Sequence, residues 1–343
     1  MQRVLASLLC FSTGIVAGCA TMPLTGDPAV AVFALAETEP VGTSDQDAAD
    51  DPAIWRNTSD PAQSLVVATD KKAGLYVYGL DGRTRSFLPA GLLNNVDLTT
   101  LKDGRVLVAA SDRTDLATAH ILLAWLDTDT AALSEIGRFK VAPGEAYGLC
   151  MSMPDAGGSI SIFSPIKDGG VYRSNFLQSG GSWVAKSTKL HQLASQPEGC
   201  VYDDRTDQLF VGEEMAGIWR FDLATDNAPR LVAAVDNRML VADVEGLAIM
   251  PNDKDGGYLV ASSQGDNAYA VFSLPDVKPV GRFRIAAGAI GATQETDGIE
   301  LKGGNFGPQF PDGLFVAQDG DNRPYAQNFK LVSWRDIMAA LEN

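Results

Sequence analysis

Glu198-Gly199-Cys200-Val201, Glu245-Gly246-Leu247-Ala248 and Asp297-Gly298-Ile299-Glu300 share one form: an acid, a glycine, then residues suited to a strand. Tyr147-Gly148-Leu149-Cys150 has the same form with a phenol for the acid. Asp51-Pro52-Ala53-Ile54 and Asn95-Val96-Asp97-Leu98 are weaker copies. The leading residues stand at 51, 95, 147, 198, 245 and 297, in steps of 44, 52, 51, 47 and 52 residues. Self-similarity at a period near 50 marks a repeat architecture.

The interior of each repeat says which one. In the fourth, short β runs at 198–202, 208–212, 218–221 and 230–235 are separated by turns such as Asp203-Asp204-Arg205-Thr206-Asp207. The fifth repeats this at 245–250, 258–262, 269–273 and 280–285. Four strands in about 50 residues, repeated, predict propeller blades. Six copies predict an all-β, six-bladed propeller of four-stranded blades. The last copy runs out after strands at 313–317 and 329–333, before a short helical segment at 334–341. An orphan β run at 30–36 is expected to close the ring by completing the last blade, which also hides an exposed edge.

The other boundaries come from the ends and the bulk. Val4 to Ala17 is an apolar run too short to span a membrane, behind a single Arg3. It ends Val16-Ala17-Gly18-Cys19, which resembles the lipobox of bacterial lipoproteins. The division is then a leader over 1–18, a tether over 19–28 and the propeller over 29–343. The protein is expected to be exported and lipid-anchored through Cys19. Ala20 after the cysteine leans toward the outer membrane. The chain has 343 residues, 45% of them hydrophobic, and a net charge of −16. That charge argues against nucleic acid as a partner, and a monomer is expected. Cys150 and Cys200 occupy similar places in neighbouring repeats, but at offsets of three and two from the leading residue. On strands those offsets point to opposite faces, so two buried free thiols are expected.

The chemistry lies where strands end. The second β run of each repeat closes on a polar group: Asp70-Lys71-Lys72, Ser111-Asp112-Arg113, Lys167-Asp168, Glu213-Glu214, Gln264-Gly265-Asp266 and Gln318-Asp319-Gly320. In a propeller these ends gather with the leading residues around one mouth of the channel. Carboxylates come from the later blades and Lys or Arg from the first three. Crowded carboxylates, with amides such as Gln264, suit Ca²⁺, which takes ~6–8 oxygen ligands in flexible geometry. Only His120 and His191 are present, and no cysteine spacing fits a metal, so zinc and copper are disfavoured. Lys71, Lys72, Arg113 and Lys167, with Tyr147, are suited to phosphate oxygens. With both histidines read as structural and no G-x-S-x-G present, a covalent Ser-His-Asp route has little support.

The segments Asp50-Asp51-Pro52-Ala53-Ile54-Trp55, Asp70-Lys71-Lys72-Ala73-Gly74-Leu75 and Leu93-Asn94-Asn95-Val96-Asp97 resemble the β-propeller phytases of bacteria. So do Tyr147-Gly148, Ala261-Ser262-Ser263-Gln264-Gly265, Thr296-Asp297-Gly298-Ile299, Val316-Ala317-Gln318-Asp319-Gly320 and Gln327-Asn328-Phe329-Lys330-Leu331-Val332, in collinear order. The resemblance implies calcium-dependent hydrolysis of phytate (inositol hexakisphosphate), taken as its calcium complex. It implies calcium-binding acids at Glu37, Asp51, Glu198, Glu214, Glu245 and Asp297. It implies phosphate-contacting bases at Lys71, Lys72, Arg113 and Lys167, and a site tyrosine at Tyr147. The expected mechanism is in-line attack of cation-activated water without a phosphoenzyme. Glu198 or Glu214 positions that water, and Lys71 or Arg113 steadies the leaving oxygen. Two other readings stay open: a cell-surface calcium- and phosphate-binding propeller without turnover, and a propeller lactonase. Four bases beside the acids weigh against the lactonase.

Overall fold

The computed structural model describes residues 25–44, 47–225 and 227–342. The expected leader and Cys19, the expected site of lipid attachment, lie outside them. Apolar runs such as Val66-Val67-Ala68 alternate side chains between two faces, and here both faces are covered. Leu65 and Val67 pack toward the second blade, while Val66 and Ala68 pack toward the sixth. Six apolar clusters of this kind lie between neighbouring sheets, so the core is a ring of sandwiched layers.

The chain forms six sheets in order around the ring, antiparallel except for one added N-terminal strand. The innermost strands are Ala49–Trp55, Leu93–Thr100, Cys150–Met151, Pro197–Asp203, Val244–Asn252 and Ile299–Gly303. Each inner strand packs against the next, and Ile299–Gly303 returns to Ala49–Trp55. Closure uses an N-terminal strand, as expected, but the segment is divided between two blades. Ala36–Glu37 pairs with Asn328–Ser333 and completes the sixth blade. Val30–Phe33 runs parallel to Lys278–Ala286 and becomes a fifth strand of the fifth blade. The helix Trp334–Leu341 is capped by the Ser333 side chain and buries Trp334 and Ile337 against this seam.

Four inner strands carry a β-bulge at the repeat signature. Ala49 pairs with Asp70 and Pro52 with Ala68, so Asp50 and Asp51 together oppose Thr69. The same shift leaves Asn94 and Asn95 against Ser111, Glu198 and Gly199 against Gly212, and Glu245 and Gly246 against Ser262. A bulge inserts one residue and re-aims the side chains beside it. The second place is crowded: a Cβ on Gly199 would collide with the Glu245 carbonyl of the next blade. The first place faces the mouth.

The bulge also overturns the expectation of two free thiols. Cys150 and Cys200 are joined in a disulfide across the third and fourth blades, with a Cα–Cα distance of 5.7 Å. Counting offsets on regular strands predicted opposite faces. The extra residue before Cys200 reverses that parity, and the third inner strand begins only at Cys150. The crosslink spans 50 residues, and loop-closure entropy for such a span corresponds to about 4 kcal/mol. Replacing both cysteines with serine should therefore lower the unfolding free energy by about 2–4 kcal/mol, seen as a lower urea midpoint. An unchanged midpoint would show that the reduced chain holds the same seam unaided.

Candidate active site

The second strands end beside the bulges, and of the polar groups that close them Lys71, Arg113 and Glu214 meet the bulged residues there, while Asp112, Asp266 and Asp319 pair with Arg138, Arg282 and Lys330. Glu198, Glu214 and Glu245 each place a carboxylate oxygen within 4.8 Å of the other two. Gln196 donates to Glu214, and the Asn94 amide donates to Glu198 at 2.6 Å. Lys71, 7% exposed, sits between Asp47 at 2.6 Å and Asp297 at 2.8 Å, with Asp50 at 3.8 Å. Gln264 donates to Asp297 at 2.6 Å. A cleft of about 780 Å³, lined in part by Asp47, Gln264, Asp297, Asp321 and Tyr325, opens beside this group.

Across the mouth lie the bases of the second and third blades. Arg113 pairs with Glu145 and donates to Asn94 at 2.7 Å. Lys167 stands 3.8 Å from Glu145. The Arg113 guanidinium and the Lys167 ammonium lie 5.6 and 4.9 Å from the Tyr147 ring centre, a cation–π arrangement. Lys72, 40% exposed, faces Asp47 at 3.5 Å. Lys71 differs from these. Its charge is spent among carboxylates, so it belongs structurally to the acidic half.

Burial and mutual repulsion set the protonation of the acids. Glu245 is pushed well above the usual carboxylate range, by burial first and then by Glu198. Asp50 is raised likewise by burial; Glu198, Asp297 and Asp47 add to the rise, against the pull of Lys71. Glu214 rises to about 7 and Asp297 to about 6, each mainly through burial. Burial also raises the Tyr147 hydroxyl, with Glu198 next, so the phenol stays protonated. Both oxygens of Asp50 and Oε2 of Glu245 are buried without a hydrogen-bond partner. Orphaned, crowded carboxylate oxygens of this kind fit hard divalent cations, which supply the missing positive charge.

The structure brings together Glu198, Glu214, Glu245, Asp297, Gln264 and Lys71, and sets Arg113, Lys167 and Tyr147 opposite them. Two residues implied as calcium ligands lie elsewhere. Glu37 is on the outermost strand of the sixth blade, where Lys330 at 2.5 Å and Asn328 at 3.0 Å hold its carboxylate. Although burial raises its pKa, Lys330 brings it below the ordinary value. Asp51 takes the inward place of the bulge and accepts from the Val96 N–H at 3.0 Å. Burial, then Asp50, with smaller contributions from Glu300 and Asp97, raises it. The mouth-facing acid of the first blade is its neighbour Asp50. Asp47, Asn94 and Glu145 also belong to the site and were not singled out in the sequence. The doublets Asp50-Asp51 and Asn94-Asn95 were the available signal. Aligning the repeats on Thr69, Ser111, Gly212 and Ser262 puts the first member of each doublet in register with Glu198 and Glu245.

Comparison with known proteins agrees with this geometry. The phytase family matches over residues 2–343. The 3-phytase of Bacillus subtilis (strain 168) is 36% identical over 324 residues, covering 89% of this chain and 84% of that protein. Among solved structures, a chain of the mitotic checkpoint complex is similar at a TM-score of 0.51 and 14% identity, covering 98% of this chain and 86% of that chain. The RRP9 WD40 repeats are similar at 0.50 and 11%, covering 82% and 78%. At those identities the likeness concerns the propeller fold alone. With over a third of its residues shared with a 3-phytase across most of both chains, the protein belongs to the β-propeller phytase family of phosphoric monoester hydrolases.

Proposed function

We propose that the protein is a calcium-dependent phytase that releases orthophosphate from inositol hexakisphosphate. The observation that carries this is the Glu198–Glu214–Glu245 cluster, with the orphaned Oε2 of Glu245 and the two orphaned oxygens of nearby Asp50, facing a separate group of bases. The 3-phytase relative supports the substrate. Asp50, Glu198, Glu214, Glu245 and Asp297, with the Gln264 amide, would hold Ca²⁺. Bound there, the ions supply positive charge that draws in a phosphate and favours ionisation of water.

The chain's own groups do the rest. Arg113 and Lys167 bind the phosphate oxygens, and their contact with the Tyr147 ring fixes their direction. Lys72, 40% exposed on the open side, would reach a second phosphate by leaving its exposed partner Asp47. Tyr147 keeps its proton and so acts as a hydrogen-bond donor to phosphate. Glu214 accepts the proton of the attacking water, while Asn94 holds Glu198 in a fixed orientation. The phosphorus–oxygen bond to the inositol then breaks in line, the departing alkoxide takes a proton from solvent water at the open mouth, and Glu214 returns the proton it accepted to solvent. His120 engages the Thr118 carbonyl, and His191 packs against Phe221. This supports direct hydrolysis over a phosphohistidine route. The Cys150–Cys200 disulfide supports export to an oxidising compartment, with Cys19 as the proposed lipid anchor.

The test is phosphate release from phytate across a calcium titration of chelated protein. Turnover should vanish in strong chelator and return with Ca²⁺. Tight phytate binding with no release at saturating calcium would support the binding propeller instead.

A further inference from the structure

We propose that Asn94 is the positioning residue that couples the acidic half of the mouth to the basic half. The inference rests on the reading of these halves as cation and phosphate sites. Asn94 is fully buried at the mouth-facing place of the second blade's bulge, the place that Asp50, Glu198 and Glu245 fill in the first, fourth and fifth blades. Its Nδ2 donates to Glu198 Oε1 at 2.6 Å and to Asn95 Oδ1 at 3.1 Å. Its Oδ1 accepts from Arg113 Nη1 at 2.7 Å.

The two charged partners fix the amide's sense. A guanidinium only donates and an ionised carboxylate only accepts, so the amide oxygen must face Arg113 and the nitrogen must face Glu198. A side chain of this length that accepts and donates at once is an asparagine. Aspartate would keep the Arg113 contact and set an acceptor against Glu198. Leucine has a similar shape and makes neither contact. Both charged partners are also held elsewhere, Arg113 by Glu145 and Glu198 by its cluster. Removing Asn94 should therefore misdirect them without releasing either. Groups that orient metal ligands in this way are worth about 10–100-fold in metal affinity.

The experiment compares wild type, N94L and N94D by calcium calorimetry, thermal melting and steady-state phosphate release. N94L should bind calcium about 10–100-fold more weakly and raise KM at least about threefold, because both contacts are lost. N94D should keep KM within about twofold of wild type, through the retained Arg113 contact, while kcat falls at least about tenfold. A merely structural amide would lower the melting temperature and leave calcium affinity and KM in place. A folded N94L within twofold of wild type in both overturns the proposal. So does an N94D that raises KM as much as N94L. If N94L does not fold, N94D decides alone, and a kcat within twofold of wild type overturns the coupling. Wild type that binds calcium without releasing phosphate overturns the catalytic reading, while the calorimetric comparison still decides the bridge. Wild type that binds no calcium overturns both.

Discussion

Lys71→Ala should lower kcat/KM for phosphate release by about 10²–10³ and the unfolding free energy by about 3–5 kcal/mol. Among the described residues, Lys71 is the one buried cation in the acidic half, at 2.6 Å from Asp47, 2.8 Å from Asp297 and 3.8 Å from Asp50. Removing a buried partner costs more than the pair was worth, because the opposing charges stay buried and uncompensated. The carboxyls can relieve this by taking up protons, so the loss of stability should be larger at pH 8 than at pH 5.5. Urea melts at both pH values, and kinetics at saturating calcium, provide the check. A variant that melts like its parent at pH 8 would remove Lys71 as the balancing charge. Retained turnover of a neutral lactone with no phytate activity would favour the lactonase reading.

The calcium-free protein should lose stability as pH rises from about 4 to beyond 7, whereas the calcium-loaded protein should not. In the fold, burial raises Glu214 to about 7 and Asp297 to about 6, and it pushes Glu245 and Asp50 well above the ordinary carboxylate range as well. Between the ordinary carboxylate range and these raised values, the folded state binds more protons than the unfolded chain. Stability therefore falls with rising pH, by about 1.4 kcal/mol per pH unit for each such proton. Calcium supplies the same charge without a proton and should flatten the curve. Thermal melts from pH 5 to 8, in chelator and in calcium, test this. Glu245→Gln removes one of the titrating groups, so it should make the chelated slope shallower while weakening calcium binding. Chelated protein that grows more stable toward pH 8 would contradict the protonation of the cluster.

The two halves of the mouth were legible in the sequence because each is built from residue types that recur at blade pitch. Glu198, Glu214, Glu245 and Asp297 appear as acids at expected strand ends, and Arg113 and Lys167 appear as bases. Charge sorting alone grouped Lys71 with the other bases, whereas its ammonium sits beside Asp47, Asp50 and Asp297, since a lone lysine gives no sign of the carboxylates it will meet. Asp51 was preferred to Asp50 because a sequence pattern counts residues evenly, while a bulge places two where one is counted. Glu37 lies apart from the carboxylate cluster for another reason. Its neighbour Lys330 lies 293 positions away in the chain and meets it only at ring closure.

By itself the sequence determined the architecture. Signature spacing sets the number of blades, and alternation within each repeat sets the strands, because both are local consequences of a period. The tertiary structure alone decided the Cys150–Cys200 bond, the place of Asp50, and the bridge from Glu198 through Asn94 to Arg113. Each depends on the bulged inner strands, where one inserted residue re-aims the side chains toward the mouth or toward the next blade. Which of two adjacent residues reaches the site is a property of that backbone shift and its cross-strand partner, and residue identity at a fixed spacing does not contain it.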